Sequence, residues 1–350
     1  MLSYQVEAFG KPLAQVLRES PQPQGAEVLL KVGSCGVCHS DVHLHDGYFD
    51  LGGGNRLDMT RAVTPPRTLG HEIAGTVVAV GPDASGVVVG DRRVVYPWLG
   101  CGRCRVCAGG DEHLCSAPRA LGIQRDGGFA DHVLVPDARY LFAFDPLPEA
   151  QACTYACSGL TAFGALNKLA GLAAGEALLI VGAGGVGLSG IRLARELVPQ
   201  VHVVVAETDH AKWDTARAAG ANEVIDPTAD GAARTLFKAS GGGVAAAIDF
   251  VGAGATFAFA LGVLRKPGTL VCVGLFGGST TIVPAMIAMK AASVVGSYVG
   301  SLSEMRSLMD IARSGRLPDL AVATRPLAEA TQALDDLRQG RTRGRSVLQP

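Results

Sequence analysis

The chain has 350 residues, 48% hydrophobic and 18% charged, a balance typical of a globular protein rather than of a disordered or fibrous one. Lys and Arg number 31 against 32 Asp and Glu, so a formal net charge of −1 offers no basic surface for nucleic acid or an anionic membrane. The length favours two domains, and residues 1–9 contain neither a secretory signal nor a transit peptide, so we expect a cytoplasmic protein.

The pattern of apolar residues divides the chain near residue 150. Residues 1–153 alternate short apolar runs with Gly, Pro and Asp turns, which is typical of an antiparallel β domain. Between residues 154 and 291, apolar strands alternate with Ala-rich helical segments, which predicts a parallel sheet with helices on both faces. Two uncharged stretches, 150–167 and 268–289, are long enough to cross a membrane, but their polar residues favour buried strand and helix segments.

The chain has nine cysteines, and an odd number cannot all pair in a closed disulfide framework. In a cytoplasmic chain these cysteines indicate metal binding or catalysis. Four of them have the spacing C-x2-C-x2-C-x7-C, namely Cys101, Cys104, Cys107 and Cys115. Four thiolates at this spacing reach one tetrahedral zinc and leave no ligand position open, so we expect a structural site. An iron–sulfur cluster, which uses a different spacing, and coincidental loop cysteines are the alternatives.

A second set of metal ligands is scattered along the chain and consists of Cys38, His71 and Cys157. Two thiolates and an imidazole would leave the fourth position of a zinc ion open, as in a catalytic site. Spacing alone does not show that these residues converge. Taken singly, such a cysteine is more often an inert buried thiol, and a lone histidine such as His71 is more often a hydrogen-bonded core residue.

A dinucleotide-binding pattern, G-x-G-x-x-G, follows the apolar run 177–181 and begins a helical segment. Its residues are Gly182, Gly184, Gly185, Val186 and Gly187. Glu207 follows twenty residues later, at the end of the next strand, where a carboxylate accepts hydrogen bonds from the adenosine ribose and repels a 2′-phosphate. The pattern therefore predicts NAD rather than NADP; the alternative is a glycine turn that only packs helix against strand.

The motifs GVCHSDVH, LGHEIAG, GCGRCRVC, CSGLTAFGAL, VGAGGVG and GRSVL, in this order, resemble those of the zinc-dependent alcohol dehydrogenases of the medium-chain dehydrogenase/reductase family. The resemblance implies an α/β protein with a GroES-like β-rich catalytic domain over residues 1–153, to which residues 292–350 return. It also implies a Rossmann domain, a doubly wound parallel sheet that binds NAD, over residues 154–291, with the active-site cleft between the two domains.

The resemblance assigns a role to each matching residue, although an ordinary structural role is the alternative for the polar ones. Cys38, His71 and Cys157 would bind a catalytic zinc, giving two zinc ions per chain with the four-cysteine site. The remaining roles are Asp41 orienting His71, Glu72 as an acidic neighbour of the metal, Ser40 and His43 as a proton relay, His39 and Arg345 near the NAD pyrophosphate, and Thr161 beside the nicotinamide.

The implied reaction is reversible hydride transfer between a primary or secondary alcohol and NAD, which gives an aldehyde or ketone. Tyr48, Phe49 and Trp98 would line an apolar substrate pocket, although aromatic residues there could equally belong to the domain core. A Gly-rich insertion at residues 50–64 could cover a bulky or anionic substrate, decorate the surface or form a subunit contact. We expect medium or bulky alcohols and, from the family, a homodimer or homotetramer.

Three other functions are alternatives to this one. A zinc-free quinone or enoyl reductase would lack the metal-binding cysteines. An NADP-linked cinnamyl-alcohol-type aldehyde reductase would need a small or basic residue in place of Glu207. A zinc-knuckle module that senses nucleotides without catalysis is disfavoured by the net charge and the intact nucleotide pattern.

Overall fold

The first half of the chain consists of short strands joined by turns and short helices. The computed structural model describes residues 1–169 and 171–350. The strands up to residue 169 are β1 Leu2–Val6, β2 Ala14–Leu17, β3 Val28–Gly36, β4 Tyr48–Gly52, β5 Asn55–Asp58, β6 Arg67–Thr68, β7 Glu72–Val80, β8 Arg92–Val95, β9 His132–Val135 and β10 Leu141–Ala143. The α-helices there are α1 His39–Asp46, α2 Arg105–Ala108, α3 Glu149–Ala152 and α4 Ser158–Leu166.

The second half alternates strands and helices as far as residue 296. Its strands are β11 Ala177–Val181, β12 His202–Ala206, β13 Glu223–Ile225, β14 Val244–Asp249, β15 Leu264–Cys272, β16 Ser293–Gly296, β17 Val322–Pro326 and β18 Arg345–Gln349. Its α-helices are α5 Gly185–Leu197, α6 Trp213–Ala218, α7 Ala232–Ala239, α8 Gly254–Val263, α9 Pro284–Lys290, α10 Leu302–Arg313 and α11 Ala330–Arg338. None of these helices has the length and apolarity needed to cross a bilayer, within the described residues.

A seven-stranded, mainly antiparallel sheet brings the two ends of the chain together. Its order is β10-β8-β7-β3-β18-β17, with β9 also paired to β3. β18 pairs with the end of β3, so the C-terminal segment joins the sheet of the N-terminal part. On the other side of β3, Gly36 lies opposite Glu72 of β7. This register brings the residues just after β3 close to those just before β7, which are Cys38 and His71.

A six-stranded parallel sheet forms the second unit, in the order β13-β12-β11-β14-β15-β16. Successive residues of β11 enter different apolar cores: Leu178 and Ile180 belong to one, Leu179 and Val181 to the other. Both faces of the sheet are therefore covered, as the near-continuous apolar strands predict. The strand order reverses between β11 and β14, and ligands of such sheets bind at this point, beyond the carboxyl ends of the strands.

The structure differs from the sequence predictions in two places. β16 lies at the edge of the parallel sheet, paired with β15, whereas the expected division at residue 292 assigned this strand to the other domain. The short segment Ser-Val-Val-Gly continues the sheet after the helical pattern has ended, and its backbone hydrogen bonds decide its place. The Gly-rich insertion at 50–64 overlaps the β4–β5 hairpin, which begins at Tyr48 and which no strand pattern in the sequence predicts.

Candidate active site

The four-cysteine lobe lies between β8 and β9. The ligand atoms of Cys101, Cys104, Cys107 and Cys115 all lie within 4.8 Å of one another. The Sγ atoms of Cys104 and Cys115 are 3.8 Å apart, and those of Cys101 and Cys107 are 4.0 Å apart. A tetrahedral zinc with Zn–S bonds of about 2.3 Å requires S–S separations of about 3.8 Å. The lobe therefore fits zinc with all four positions filled.

Backbone amides of the lobe point at its sulfurs. Cys101 N donates to Cys115 Sγ over 3.3 Å, and Ala117 N donates to the same sulfur over 3.4 Å. Amides of Arg103 and Cys104 lower the pKa of Cys101 to about 6. These amides therefore favour the thiolate of Cys101, the form that binds a cation.

The second cluster brings together three residues that are far apart in sequence. The ligand atoms of Cys38, His71 and Cys157 lie within 4.8 Å of one another, and the two Sγ atoms are 4.0 Å apart. Cys38 directly precedes α1, His71 directly precedes β7, and Cys157 directly precedes α4. All three side chains are buried. The convergence that spacing alone could not show is therefore present in the fold.

The two ring nitrogens of His71 have different surroundings. Nδ1 lies 3.1 Å from Asp41 Oδ1, whereas Nε2 is buried and has no hydrogen-bond partner among the described residues. An unpaired buried nitrogen is costly unless a ligand satisfies it. Beside two thiols, a metal ion is the ligand that fits, and two sulfurs with one nitrogen leave a fourth tetrahedral position open.

Asp41 fixes this geometry from behind the cluster. Its Oδ2 accepts from Cys38 N over 2.9 Å, and its Oδ1 accepts from Gly70 N over 3.2 Å as well as contacting His71. Although burial opposes it, the Asp41 carboxylate raises the pKa of His71. One carboxylate therefore orients two metal ligands, as acids behind ligating histidines do.

Glu72 and Arg345 form a buried ion pair beside the cluster. Arg345 donates to Glu72 Oε2, and the amide of Ser158 donates to Oε1 over 3.0 Å. Burial raises the pKa of Glu72, while Arg345 opposes the shift. The Arg345 side chain also lies against the glycine loop, since a Cβ added to Gly185 would be 2.4 Å from Arg345 Cδ. The pair therefore connects the metal cluster to the nucleotide pattern.

The glycines of the nucleotide pattern meet different constraints. A Cβ on Gly187 would lie 1.9 Å from Gly182 O, so the turn into α5 requires glycine there. Gly184, which precedes the helix, has open space at its Cβ position. An open backbone at a helix N-terminus suits a phosphate group. Val186, in the first turn of α5, is partly buried.

Glu207 follows β12, next to this loop. Its Oε2 accepts from Ala183 N over 2.8 Å and its Oε1 from Asp209 N over 2.9 Å. The two amides hold a negative charge at the carboxyl end of the sheet. Thr161 lies one turn into α4, where its amide donates to Cys157 O, and α4 packs against α5. The metal cluster and the nucleotide loop are therefore joined through a helix pair.

The helix α1 begins directly after the metal ligand Cys38. Ser40 is half-buried, and His39 and His43 have ring centroids 6.0 Å apart. The His43 ring stacks on Phe49 at 4.5 Å. Partial burial and the neighbouring His39 lower the pKa of His43.

Aromatic side chains stand beside the metal cluster. The ring of Trp98 lies 5.3 Å from that of His71, and its Nε1 donates to Ala156 O over 3.0 Å. Tyr298 meets Trp98 edge-on at 6.1 Å, and Phe276 lies 6.0 Å from His39. Tyr48, at the start of the hairpin, carries the Arg56 guanidinium over its ring at 4.0 Å.

Sequence reasoning missed Tyr298 and Phe276. They follow β16 and β15, whose carboxyl ends face the ligand site, so their position in the parallel sheet was the available signal.

Comparisons with known proteins agree with this geometry. Residues 24–146 match the alcohol dehydrogenase GroES-like domain, and residues 185–314 match the zinc-binding dehydrogenase domain. NAD-dependent alcohol dehydrogenases of Sulfurisphaera tokodaii and Saccharolobus solfataricus are 36% and 37% identical to the chain, with full coverage of both sequences. The chain is a zinc-dependent alcohol dehydrogenase of the medium-chain dehydrogenase/reductase family.

The solved structure of the alcohol dehydrogenase from Aeropyrum pernix superposes on all of this dehydrogenase, with a TM-score of 0.89 at 28% identity and complete coverage of both chains. The predicted family, fold class, enzyme class and zinc and NAD cofactors are thereby confirmed. The reaction class, interconversion of alcohol and carbonyl compound, is confirmed as well.

Proposed function

We propose that this dehydrogenase uses Cys38, His71 and Cys157 to bind its catalytic zinc and oxidises an alcohol with NAD at that site. The observation that carries the proposal is the unpaired, buried Nε2 of His71 beside two thiols. Zinc at this cluster supplies a Lewis acid that favours loss of the alcohol proton. The four-cysteine lobe, with no open ligand position, holds the structural zinc.

The residues around the cluster have separate tasks. Asp41 orients His71, and the buried Glu72–Arg345 pair keeps a charge balance beside the metal. Ser40 and His43 lie on α1, which starts at the ligand Cys38, and carry the released proton toward solvent. His43 suits this task because burial lowers its pKa below the usual histidine range, so that at neutral pH its ring is uncharged and has a nitrogen free to accept the proton.

The glycine loop and α1 would hold the coenzyme between them. Amides at the start of α5, with Arg345 against Gly185, bind the pyrophosphate, and His39 approaches it from the side of α1. Thr161 positions the nicotinamide near Cys157. Glu207, whose carboxylate is fixed by two amides, accepts from the ribose hydroxyls and excludes the 2′-phosphate of NADP.

The substrate pocket is aromatic on the side of the metal. Trp98 stands beside His71 with Tyr298 at its edge, and Tyr48 with Phe49 lies toward α1. Such walls favour medium or bulky primary and secondary alcohols over short ones, because larger substrates bury more apolar area.

The two units of the fold have different functions. The antiparallel sheet with the C-terminal strands carries the metal sites, and the parallel sheet binds NAD. With β16 in the parallel sheet, we place the return to the catalytic unit after residue 296 rather than at 292. We expect the protein to act in the cytoplasm.

The dehydrogenase also associates with itself, through the edge of the parallel sheet. β16 is the edge strand, and α9 beside it buries none of its residues. Exposed apolar side chains concentrate here: Ile282, Val283, Met286, Met289 and Val294. An apolar surface with an open strand edge suits a second copy of the chain. Sedimentation should give at least a dimer, and Val294→Glu should weaken it.

The test compares zinc content and NAD reduction in the wild type and in Cys38→Ser, with Cys272→Ser, which lies outside both clusters, as the control. We expect two zinc ions per chain in the wild type and the control, and one zinc without turnover in Cys38→Ser. A panel of linear, branched, cyclic and aromatic alcohols then ranks the substrates. Turnover that survives in Cys38→Ser would contradict the proposed site.

A further inference from the structure

The β4–β5 hairpin makes an unusually close backbone contact with the parallel-sheet unit. A Cβ on Gly52, at the end of β4, would lie 2.3 Å from Gly278 Cα. A Cβ on Gly277 would lie 1.9 Å from Asp50 O. The two backbones approach this closely only because Gly52 and Gly277 have no Cβ atom. The hairpin and the 276–279 segment therefore meet main chain to main chain.

The 276–279 segment is fixed to the parallel-sheet unit on its other side. Phe276 N donates to Val251 O over 3.0 Å, and Gly277 N donates to Gly252 O over 3.2 Å. A Cβ on Gly254, at the start of α8, would lie 2.2 Å from Ser279 O. The segment is thus anchored to the residues that follow β14, while the hairpin follows directly from α1, which begins at the metal ligand Cys38.

Both partners of this contact also flank α1. Phe49 of the hairpin stacks on His43, and Phe276 of the segment lies beside His39. The segment begins four residues after β15 ends, at the carboxyl edge of the sheet where a dinucleotide binds. The contact therefore lies beside α1, which begins at the metal ligand Cys38, and at the carboxyl edge of the parallel sheet.

We infer that the β4–β5 hairpin holds the 276–279 segment in place over the cleft and thereby slows release of the bound dinucleotide. The inference rests on the proposed function, because it assumes that NAD occupies the cleft. It assigns to the Gly-rich insertion a role in coenzyme retention, with Gly52 and Gly277 as positioning residues. Opening of the cleft requires this contact to separate, and such steps often set turnover.

The hairpin contains a matched pair of glycines for the test. Gly52 and Gly54 have φ angles of 80° and 83°, so alanine strains the backbone equally at both. A Cβ at Gly54, however, meets nothing within 4 Å, whereas at Gly52 it meets the backbone of Gly278. Gly52→Ala therefore disrupts the contact, and Gly54→Ala reports the strain alone.

The measurement is the NADH dissociation rate by stopped-flow fluorescence in the zinc-loaded wild type and in both variants. We expect Gly52→Ala to release NADH about three to ten times faster, with Gly54→Ala within about twofold of the wild type. Equal rates in the two variants would overturn the inference and leave the proposed function intact. Failure of the wild type to bind NADH would overturn both.

A reversible cross-link tests the same inference by strengthening the contact, which should slow NADH release instead of speeding it. A Cβ on Gly53 would lie 4.0 Å from Ser279 Oγ, close enough for the double variant Gly53→Cys/Ser279→Cys to join the hairpin to the segment. The oxidised protein should release NADH several times more slowly than the same protein after reduction, with zinc content unchanged. If oxidation leaves the release rate unchanged, the hairpin does not control it.

Discussion

The two metal sites bring their cysteine ligands together in opposite ways. In the four-cysteine lobe all ligands come from fifteen consecutive residues, 101–115, and neighbouring amides donate to their sulfurs. In the second cluster the ligands span residues 38–157 and are held by a buried carboxylate and by the register between β3 and β7. The lobe needs only its own loop, whereas the second cluster exists only when the whole sheet has formed.

Removing one ligand should therefore have opposite consequences at the two sites. Cys157→Ser, a nearly isosteric change, should lower kcat/KM by about 10³-fold or more, because the lost Lewis acid is worth several kcal/mol of transition-state stabilisation. The unfolding temperature should change little, since the surrounding sheet remains packed. Steady-state kinetics and calorimetry on the same preparation would check both.

Cys104→Ser is the counterpart in the lobe. Structural zinc contributes to folding energy, so we expect one zinc per chain and an unfolding temperature lower by about 5–10 °C. At low temperature most of the turnover should remain, because the lobe has no open position and contacts no reacting group. A variant that is inactive but fully stable would show that the lobe acts in catalysis.

The same difference explains what the sequence could predict. A ligand set within one loop is visible as spacing, and so is G-x-G-x-x-G between a strand and a helix. The convergence of Cys38, His71 and Cys157 depends on strand register, which their local sequence does not encode, and only the family resemblance predicted it. Tyr298, the β4–β5 hairpin and the edge position of β16 carry no motif and are fixed by contacts with distant residues.

Substitution of the carboxylate behind each site should likewise separate an effect on activity from an effect on stability. Asp41 lies behind the second cluster; behind the lobe, Glu112 accepts from Gly100 N over 3.3 Å and from the Tyr140 hydroxyl over 2.7 Å. Asp41→Asn should reduce activity or zinc affinity about 10- to 100-fold, as is usual for acids behind metal-binding histidines.

Glu112→Gln is the matched control, since it removes the same charge from the other site. It should lower stability and leave kcat near the wild-type value. Equal losses of activity in the two variants would mean that the sites are not independent.

Thiol reactivity after zinc removal compares single cysteines of the two metal sites and is the smallest of the expected effects. Local amides lower the pKa of Cys101 to about 6, and the residue is partly exposed, whereas Cys38 and Cys157 are buried. The thiolate fraction rises with pH through the pKa, so Cys101 should alkylate about tenfold more slowly at pH 5 than at pH 7.5. Mass spectrometry of the chelated, still folded chain would follow each cysteine. A midpoint near that of an ordinary thiol, about 8.5, would show that the lobe loses its amide geometry without zinc, and that its local sequence alone does not hold it.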